Sequence, residues 1–312
     1  MLKSLILAAA LTVALPAAAE PQAVAELGPG MVGAYYPPAQ RGGPVVMILG
    51  GSEGGFQGSG AMAKAMAEQG FGALALSYYR GPGQSPALEN IPLETFTRAL
   101  DWLSARPEVG RRRVALVGVS KGGEAALLVA SRDRRVCAVV AAVPSSVSWA
   151  GYDPARNLGT MTPSWTSGGQ PVAYVRYDFS GFANGGLRGI YAKSLEKAPA
   201  DAIIPVEQIA GAVLLISGRD DKLWPSTPMA DAVMARLDAA KFRYAHSHLA
   251  YDNAGHAAFG RPVAADTRVN PAMFAMAGGT FEGTNAARTD NWPKALAFLR
   301  ANLAGKGCAP LR

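Results

Sequence analysis

The sequence predicts one large α/β domain whose core is a mostly parallel sheet flanked by helices. Short, wholly apolar runs, Pro44–Leu49 and Val114–Val117 among them, alternate with helix-forming segments, the pattern of strands buried on both faces. Val114–Val117 passes through Gly118-Val119-Ser120-Lys121-Gly122 into Lys121–Ala130, a strand, a tight turn and a helix rich in Ala and Leu. The chain is 312 residues long and 49% hydrophobic, enough for one sizeable core.

Met1–Ala19 reads as a cleavable export signal. Lys3 supplies the positive end, Leu5–Leu15 is an apolar stretch too short to span a bilayer, and Ala17-Ala18-Ala19 offers a small-residue cleavage site before Glu20. The mature domain is then 20–312, exported to a bacterial periplasm or secreted. No Cys follows the cleavage site and no later stretch is long and apolar enough to cross a bilayer, so no stable membrane anchor is expected.

Glu20–Gly43 reads as a lead-in punctuated by Gly and Pro, and Pro44–Leu49 as the first buried strand. The glycine-rich stretch Gly50–Gly55 leads to a predicted helix over Ser59–Gln69, a strand over Phe71–Tyr78 and an amphipathic helix over Leu93–Ala105 closed by Pro107. Cys137–Val143 is the strand after the Ser120 turn and its helix. Trp149–Pro205 then breaks the alternation with Gly, Pro, Ser and aromatic residues, and is expected to be an inserted cap, because long loops without function are uncommon. Regular structure resumes with a strand over Ala212–Ser217 and a helix over Pro228–Leu237. A last strand over Phe242–Tyr251 and a closing helix over Asp290–Leu303 complete the pattern.

The Ser120 turn matches G-x-S-x-G, which in this setting lifts a serine hydroxyl clear of the sheet at the positive end of a helix. A Ser that merely caps its helix is the plainer alternative. The Gly50–Gly55 loop lacks an acid at the end of the next strand, which closes on Ser77-Tyr78-Tyr79-Arg80, so dinucleotide binding is not expected. It lacks a G-K-[ST] as well, which removes a P-loop. In a serine hydrolase this loop supplies half of an oxyanion hole. The expected donors are the backbone N–H groups of Lys121 and Ser52, with Glu53 as the alternative to Ser52. Gly218-Arg219-Asp220-Asp221 follows a late strand, where a triad acid belongs, and His256 follows the last strand. The order Ser, Asp, His selects one of the three common triad orders.

Two cysteines exclude a Cys-ligated zinc site and a dense disulfide framework, although export permits a Cys137–Cys308 bridge. Of three histidines, His246 and His248 alternate along one strand without acidic companions nearby in sequence, so they are expected to be structural and no metal is expected. Removing the leader, with one Lys and no acid, lowers the formal net charge from +7 to +6. Arg111–Arg113 and Arg132/Arg134/Arg135 precede strands and should form a solvated basic rim opposite the serine, with contact to an anionic lipid or polymer as the alternative. No nucleic-acid motif accompanies them. Glu124, one helical turn after Ser120, could tune the site, but an acid in the first turn is already accounted for by the helix dipole.

Gly50–Gly55, Leu76–Tyr79, Gly118–Glu124, Ile216–Ser226 and Gly255-His256 together resemble the α/β-hydrolase superfamily. More narrowly, the chain resembles the C-terminal domain of acyl-CoA thioester hydrolases and bile-acid-CoA:amino-acid N-acyltransferases, and is akin to dienelactone hydrolases. The likeness runs from Pro44 to about Phe259. It implies an α/β-hydrolase fold, Ser120 as nucleophile, Asp221 as the acid, His256 as the base, and no cofactor. The implied substrate is a small acyl thioester or ester. A general carboxylesterase, or transfer of the acyl group to an amine or alcohol, is the alternative. Only about two dozen residues lie between the expected cleavage site and Pro44, so the β-sandwich domain of the mammalian enzymes is expected to be absent. Export would also separate the enzyme from cytosolic acyl-CoA. Arg80, Arg219 and Lys222 follow strands and are expected at the active-site edge, within reach of a CoA phosphate.

N-terminal sequencing of protein recovered from the periplasm of an expressing bacterium should read from Glu20. An intact Met1 on exported protein would refute the cleavage site.

Overall fold

The computed structural model describes residues 27–28, 30–110, 114–153, 155, 158–264, 267–268 and 270–304. The leader, Arg111–Arg113 and Cys308 therefore lie outside the described residues. In chain order the elements are β1 (Val32–Tyr36), β2 (Val45–Leu49), α1 (Gln57–Ala67), β3 (Gly72–Ser77), β4 (Ile91–Pro92), α2 (Glu94–Ser104), β5 (Val114–Val119), α3 (Lys121–Ala130) and β6 (Val136–Ala142). Next come β7 (Ala150–Asp153), β8 (Leu158–Pro163), β9 (Trp165–Ser167), β10 (Gln170–Pro171) and α4 (Gly186–Leu195). The chain closes with β11 (Ala212–Gly218), α5 (Ser226–Ala239), β12 (His246–Tyr251), α6 (Pro271–Ala277) and α7 (Phe281–Ala304).

Seven strands form the central sheet in the order β1-β3-β2-β5-β6-β11-β12. Every neighbouring pair is parallel except β1 against β3. Alternate residues of each strand feed opposite layers. On β2, Val45, Met47 and Leu49 join Phe96, Leu100, Leu127 and Leu237 on one face. Val46 and Ile48 join Met66, Trp292, Leu296 and Leu299 on the other. Helices α2, α3 and α5 thus cover one face and α1 and α7 the other. This is the mostly parallel, helix-flanked sheet of the α/β-hydrolase fold.

The departures from expectation lie where pairing or packing decides the element. β1 occupies part of the stretch read as lead-in. Its Gly33 lies so close to β3 that a Cβ would fall 2.2 Å from the Ala75 carbonyl oxygen. β12 starts at His246, since the Phe242 N–H instead closes the end of α5 on the Leu237 carbonyl. α7 begins at Phe281 rather than Asp290 and contains Pro293, and α6 is a further helix that the sequence pattern does not predict. α5 starts at Ser226, one turn-position ahead of the expected Thr227–Pro228 start.

Between β6 and β11 the chain builds a β7–β8 hairpin, a small sheet in which β9 pairs with β10 and with β4, and α4. A buried cluster of Val147, Trp149, Val175, Ala202, Trp224 and Met229, flanked by Tyr177 and Tyr191, joins this segment to the loop after β11. Cys137 lies buried at the start of β6, and no cysteine among the described residues is free.

The serine turn depends on α3 pressing onto β2. A Cβ on Gly122 would fall 2.2 Å from the Leu49 carbonyl oxygen and 2.4 Å from that of Gly50, backbone atoms that cannot swing aside. Gly122→Ala should therefore cost about 1–3 kcal/mol in denaturant unfolding, the usual penalty of overpacking. Gly60→Ala, where the nearest neighbour is a Phe56 ring carbon at 3.6 Å within α1, should be neutral or slightly stabilising. Equal effects of the two would contradict this packing.

Candidate active site

Ser120 sits between β5 and α3 with φ 57° and ψ −121°. Such a backbone is strained for a residue with a Cβ. It is held from both sides: the Ser120 N–H donates to the Ala142 carbonyl of β6, and the Ser120 carbonyl accepts from the Glu124 N–H. The side chain makes no capping bond to its helix, so the plainer capping role does not apply. Its Oγ lies 2.8 Å from His256 Nε2.

His256 leaves the loop after β12, and its Nδ1 lies 2.8 Å from Asp221 Oδ2. The carboxylate only accepts, so Nδ1 carries the proton and Nε2 is left to accept the Ser120 hydroxyl. Asp221 is 2% exposed, and its other oxygen accepts from the N–H groups of Leu223 at 2.9 Å and Trp224 at 3.2 Å. Asp220, by contrast, is exposed. The acid and imidazole loops share a brace, since the Ala277 carbonyl accepts from the N–H groups of both Lys222 and His256. Gly278 makes that crossing possible, with φ 79° and no room for a Cβ, which would lie 1.8 Å from the Asp220 carbonyl oxygen. The Trp224 ring packs edge-on to the imidazole at 5.8 Å. A hydroxyl, an imidazole and a buried carboxylate in this chain are arranged to take a proton from the serine as its oxygen attacks.

The glycine-rich loop lies beside Ser120: a Cβ on Gly51 would be 3.2 Å from the Ser120 Cβ. Ser52 and Glu53 form the exposed tip of the Gly51–Gly54 turn, and the Glu53 carboxylate folds back to accept from the Gly51 N–H at 2.9 Å. Two tyrosines from the end of β3 hold the loop underneath. Tyr78 donates to the Gly50 carbonyl at 2.6 Å, with Gly51 O at 3.3 Å, and Tyr79 donates to the Ser52 carbonyl. Burial pushes both phenol groups up, so both stay donors.

Arg80 follows with φ 58° and donates to the Glu53 carbonyl at 3.0 Å, beside the loop as expected. Arg219 pairs instead with Asp252 at 2.9 Å. Lys222 is exposed on the acid loop.

The other two histidines lie elsewhere, and both have acidic companions that only the fold reveals. His246 is held by Asp238, which raises its pKa. His248 bridges Asp231 at 2.9 Å and Ser217 at 2.7 Å, and burial lowers its pKa. This second Ser-His-Asp chain has a wholly buried serine that also contacts Thr227, so it has no open face toward a substrate.

Glu124 is more than a first-turn acid facing the helix dipole. It is fully buried, and its Oε2 accepts from Lys121 Nζ at 2.7 Å, Lys121 itself being 4% exposed. Its Oε1 accepts from the Trp149 N–H at 3.1 Å and the Trp165 indole N–H at 2.7 Å. Lys121 Nζ also donates to Ser164 Oγ at 2.9 Å. Burial lowers the Lys121 pKa against the pull of Glu124. The S-K-G-G-E spacing placed both charges in the first turn, but nothing in it reveals the two tryptophans that complete the network.

Residues 91–305 match the family described as BAAT / Acyl-CoA thioester hydrolase C terminal. The chain belongs to this family. Ser120, Lys121, Asp221 and His256 fall within the match, whereas the Gly50–Gly55 loop precedes it. The chain is 27% identical over 286 residues to acyl-coenzyme A thioesterase 6 of Homo sapiens, covering 89% of this chain and 65% of the relative. It is 30% identical over 207 residues to acyl-coenzyme A thioesterase 1 of Mus musculus, covering 66% and 46%. The chain thus spans roughly half to two thirds of these relatives' length. A solved Klebsiella pneumoniae protein assigned as a dienelactone hydrolase shares the fold at TM-score 0.52 and 15% identity, over 86% of this chain and 92% of that one.

Asp221→Asn should lower kcat by about 10²–10⁴-fold, as when a triad acid can no longer hold the imidazole tautomer, while Asp220→Asn should stay near wild type. A larger kcat loss at Asp220 would overturn the assignment.

Proposed function

We propose that this protein is an exported serine hydrolase that cleaves an acyl thioester or ester through an acyl-enzyme intermediate. The Asp221–His256–Ser120 chain, with both links at 2.8 Å, carries the reading. Ser120 Oγ attacks the acyl carbonyl while His256 Nε2 takes its proton, and Asp221 stabilises the imidazolium. The oxyanion is met by the N–H groups of Lys121 and Ser52, each donor being worth about 3–4 kcal/mol in such sites. His256 then returns the proton to the leaving group. Water repeats the sequence on the acyl-enzyme and frees Ser120.

The leaving group decides how much the second proton transfer matters. A thiolate, with a thiol pKa of about 8.5, departs readily, whereas an alkoxide needs protonation by His256 as it leaves. Membership of a family whose relatives carry the name acyl-coenzyme A thioesterase supports a thioester. The export signal over Met1–Ala19 favours an ester or a foreign acyl compound met outside the cytosol. Acyl transfer to an amine or alcohol is the second reading, favoured by the aromatic segment between β6 and β11 packing up to Trp224 beside His256, if that segment acts as a cap that keeps water out.

Ser120→Ala should lose turnover by several orders of magnitude and lose labelling by a fluorophosphonate. Matched acyl-CoA, acyl-pantetheine and alkyl ester substrates then name the leaving group. With CoA as the natural handle, acyl-CoA gives the highest kcat/KM, and only that value falls when Arg80 and Lys222 are both replaced by Gln. Equal rates on all three, unmoved by the substitutions, identify a general carboxylesterase.

A further inference from the structure

The buried Lys121–Glu124 pair is the strongest electrostatic feature that the chemistry above leaves unused. Its place in the chain is informative. Lys121 supplies one of the two proposed oxyanion donors through its own N–H, and that N–H belongs to the peptide whose carbonyl is Ser120 O. The Ser120 carbonyl accepts from the Glu124 N–H at 3.0 Å. A planar peptide cannot turn its N–H without turning its carbonyl, so whatever fixes Glu124 fixes the aim of the Lys121 donor. Glu124 is fixed by three donors, from Lys121, Trp149 and Trp165.

The second donor is held by the same logic. The Ser52 N–H shares its peptide with the Gly51 carbonyl, which lies 3.3 Å from the Tyr78 hydroxyl that grips Gly50 O at 2.6 Å. Trp165 joins the two halves. Its indole N–H donates to Glu124, its ring lies 5.3 Å from Lys121 Nζ, and it packs against the Tyr78 ring at 5.7 Å. Tyr78 is buried, and Trp165 and Glu124 almost wholly so. The connected side chains therefore move little independently of one another.

We infer that Lys121, Glu124, Trp165 and Tyr78 form one positioning network that sets the spacing between the two oxyanion donors. The inference rests on the serine-hydrolase reading above. The Lys121 and Glu124 side chains act as positioning residues, not as proton carriers, because both are buried and bonded to each other and to Ser164, Trp149 and Trp165. Trp165 belongs to the segment inserted after β6, so that segment contributes to the chemistry of the site from a distance.

The test pairs two variants. In Lys121→Met/Glu124→Gln no buried charge is left without a partner, so the fold can survive. Tyr78→Phe removes one oxygen and keeps the ring against Trp165. With a p-nitrophenyl ester, each should lower kcat by about tenfold or more, with KM changed by less than about threefold. Loss of a single oxyanion donor costs about 10²–10³-fold, and misplacing one costs less. An alkylboronic acid, whose serine adduct places an oxygen at the oxyanion position, should bind more weakly by the same factor as kcat falls. The combined variant should be scarcely worse than the poorer of the two, because both act on one spacing. Far-UV circular dichroism and melting curves check the fold, and Tyr78→Phe carries the test if the paired variant fails to fold. Wild-type kcat and boronate affinity in folded variants would overturn the network, as would a loss confined to KM or fully multiplicative effects. Ser120→Ala separates the two levels. Near-wild-type turnover there removes the serine mechanism itself, whereas a Ser120→Ala slowed by several orders of magnitude beside fully active network variants removes only this inference.

Discussion

The close approach of α3 to β2 is the constraint on which the rest of this molecule depends. The first turn of the helix lies against the carbonyls of Leu49 and Gly50, and Gly118 lies against Gly122 with no space for a side chain between them. That contact forces Ser120 into positive φ and lifts its hydroxyl above the sheet. It also brings the end of β2, and hence the Gly50–Gly55 loop, beside the serine. One backbone crossing therefore sets both where the attack starts and where the oxyanion donors stand. The strain at Ser120 is sustained because both of its peptide groups are bonded, to β6 on one side and to the first turn of α3 on the other.

Charge is handled in two distinct ways around that crossing. Asp221 is buried but satisfied by two backbone N–H groups and one imidazole, an arrangement that orients His256. Glu124 is buried deeper and is compensated by Lys121, with two tryptophan donors completing its shell. A pair of this kind is weak evidence for stability, since well-packed apolar residues serve as well. Stripping one partner strands a charge, at a cost of about 3–5 kcal/mol. Its place beside the serine fits a role in geometry more than in holding the fold together.

The segment between β6 and β11 is tied to the domain at two points on either side of the serine. Trp149, Ser164 and Trp165 reach the Lys121–Glu124 pair, and the Trp149–Tyr191–Trp224 ring contacts end edge-on to the imidazole of His256. These contacts are short-range and directional, so a change in this segment can reach the acid–imidazole loops as well as the elbow.

By itself the sequence determined the parallel core of the sheet and the serine turn. Strands buried on both faces must be continuously apolar, and a tight strand-to-helix turn must have glycines where the backbones cross, so Val114–Val117 and Gly118–Gly122 declared themselves. Other features came only from tertiary structure. Val32–Tyr36 is a strand because β3 offers it an edge, and the lead-in's Gly and Pro concealed it. The choice of Asp221 over its neighbour drew on family likeness, and its burial and two N–H donors lie in the loop's path, which no local pattern encodes. Glu124 looked like an ordinary first-turn acid because helix position alone explains such a residue. Only the folding of Trp149 and Trp165, 25 and 41 residues further on, over the first turn of α3 turns it into a buried, saturated anion. Local chemistry is written in neighbouring residues, whereas burial and long-range pairing exist only once the chain has closed on itself.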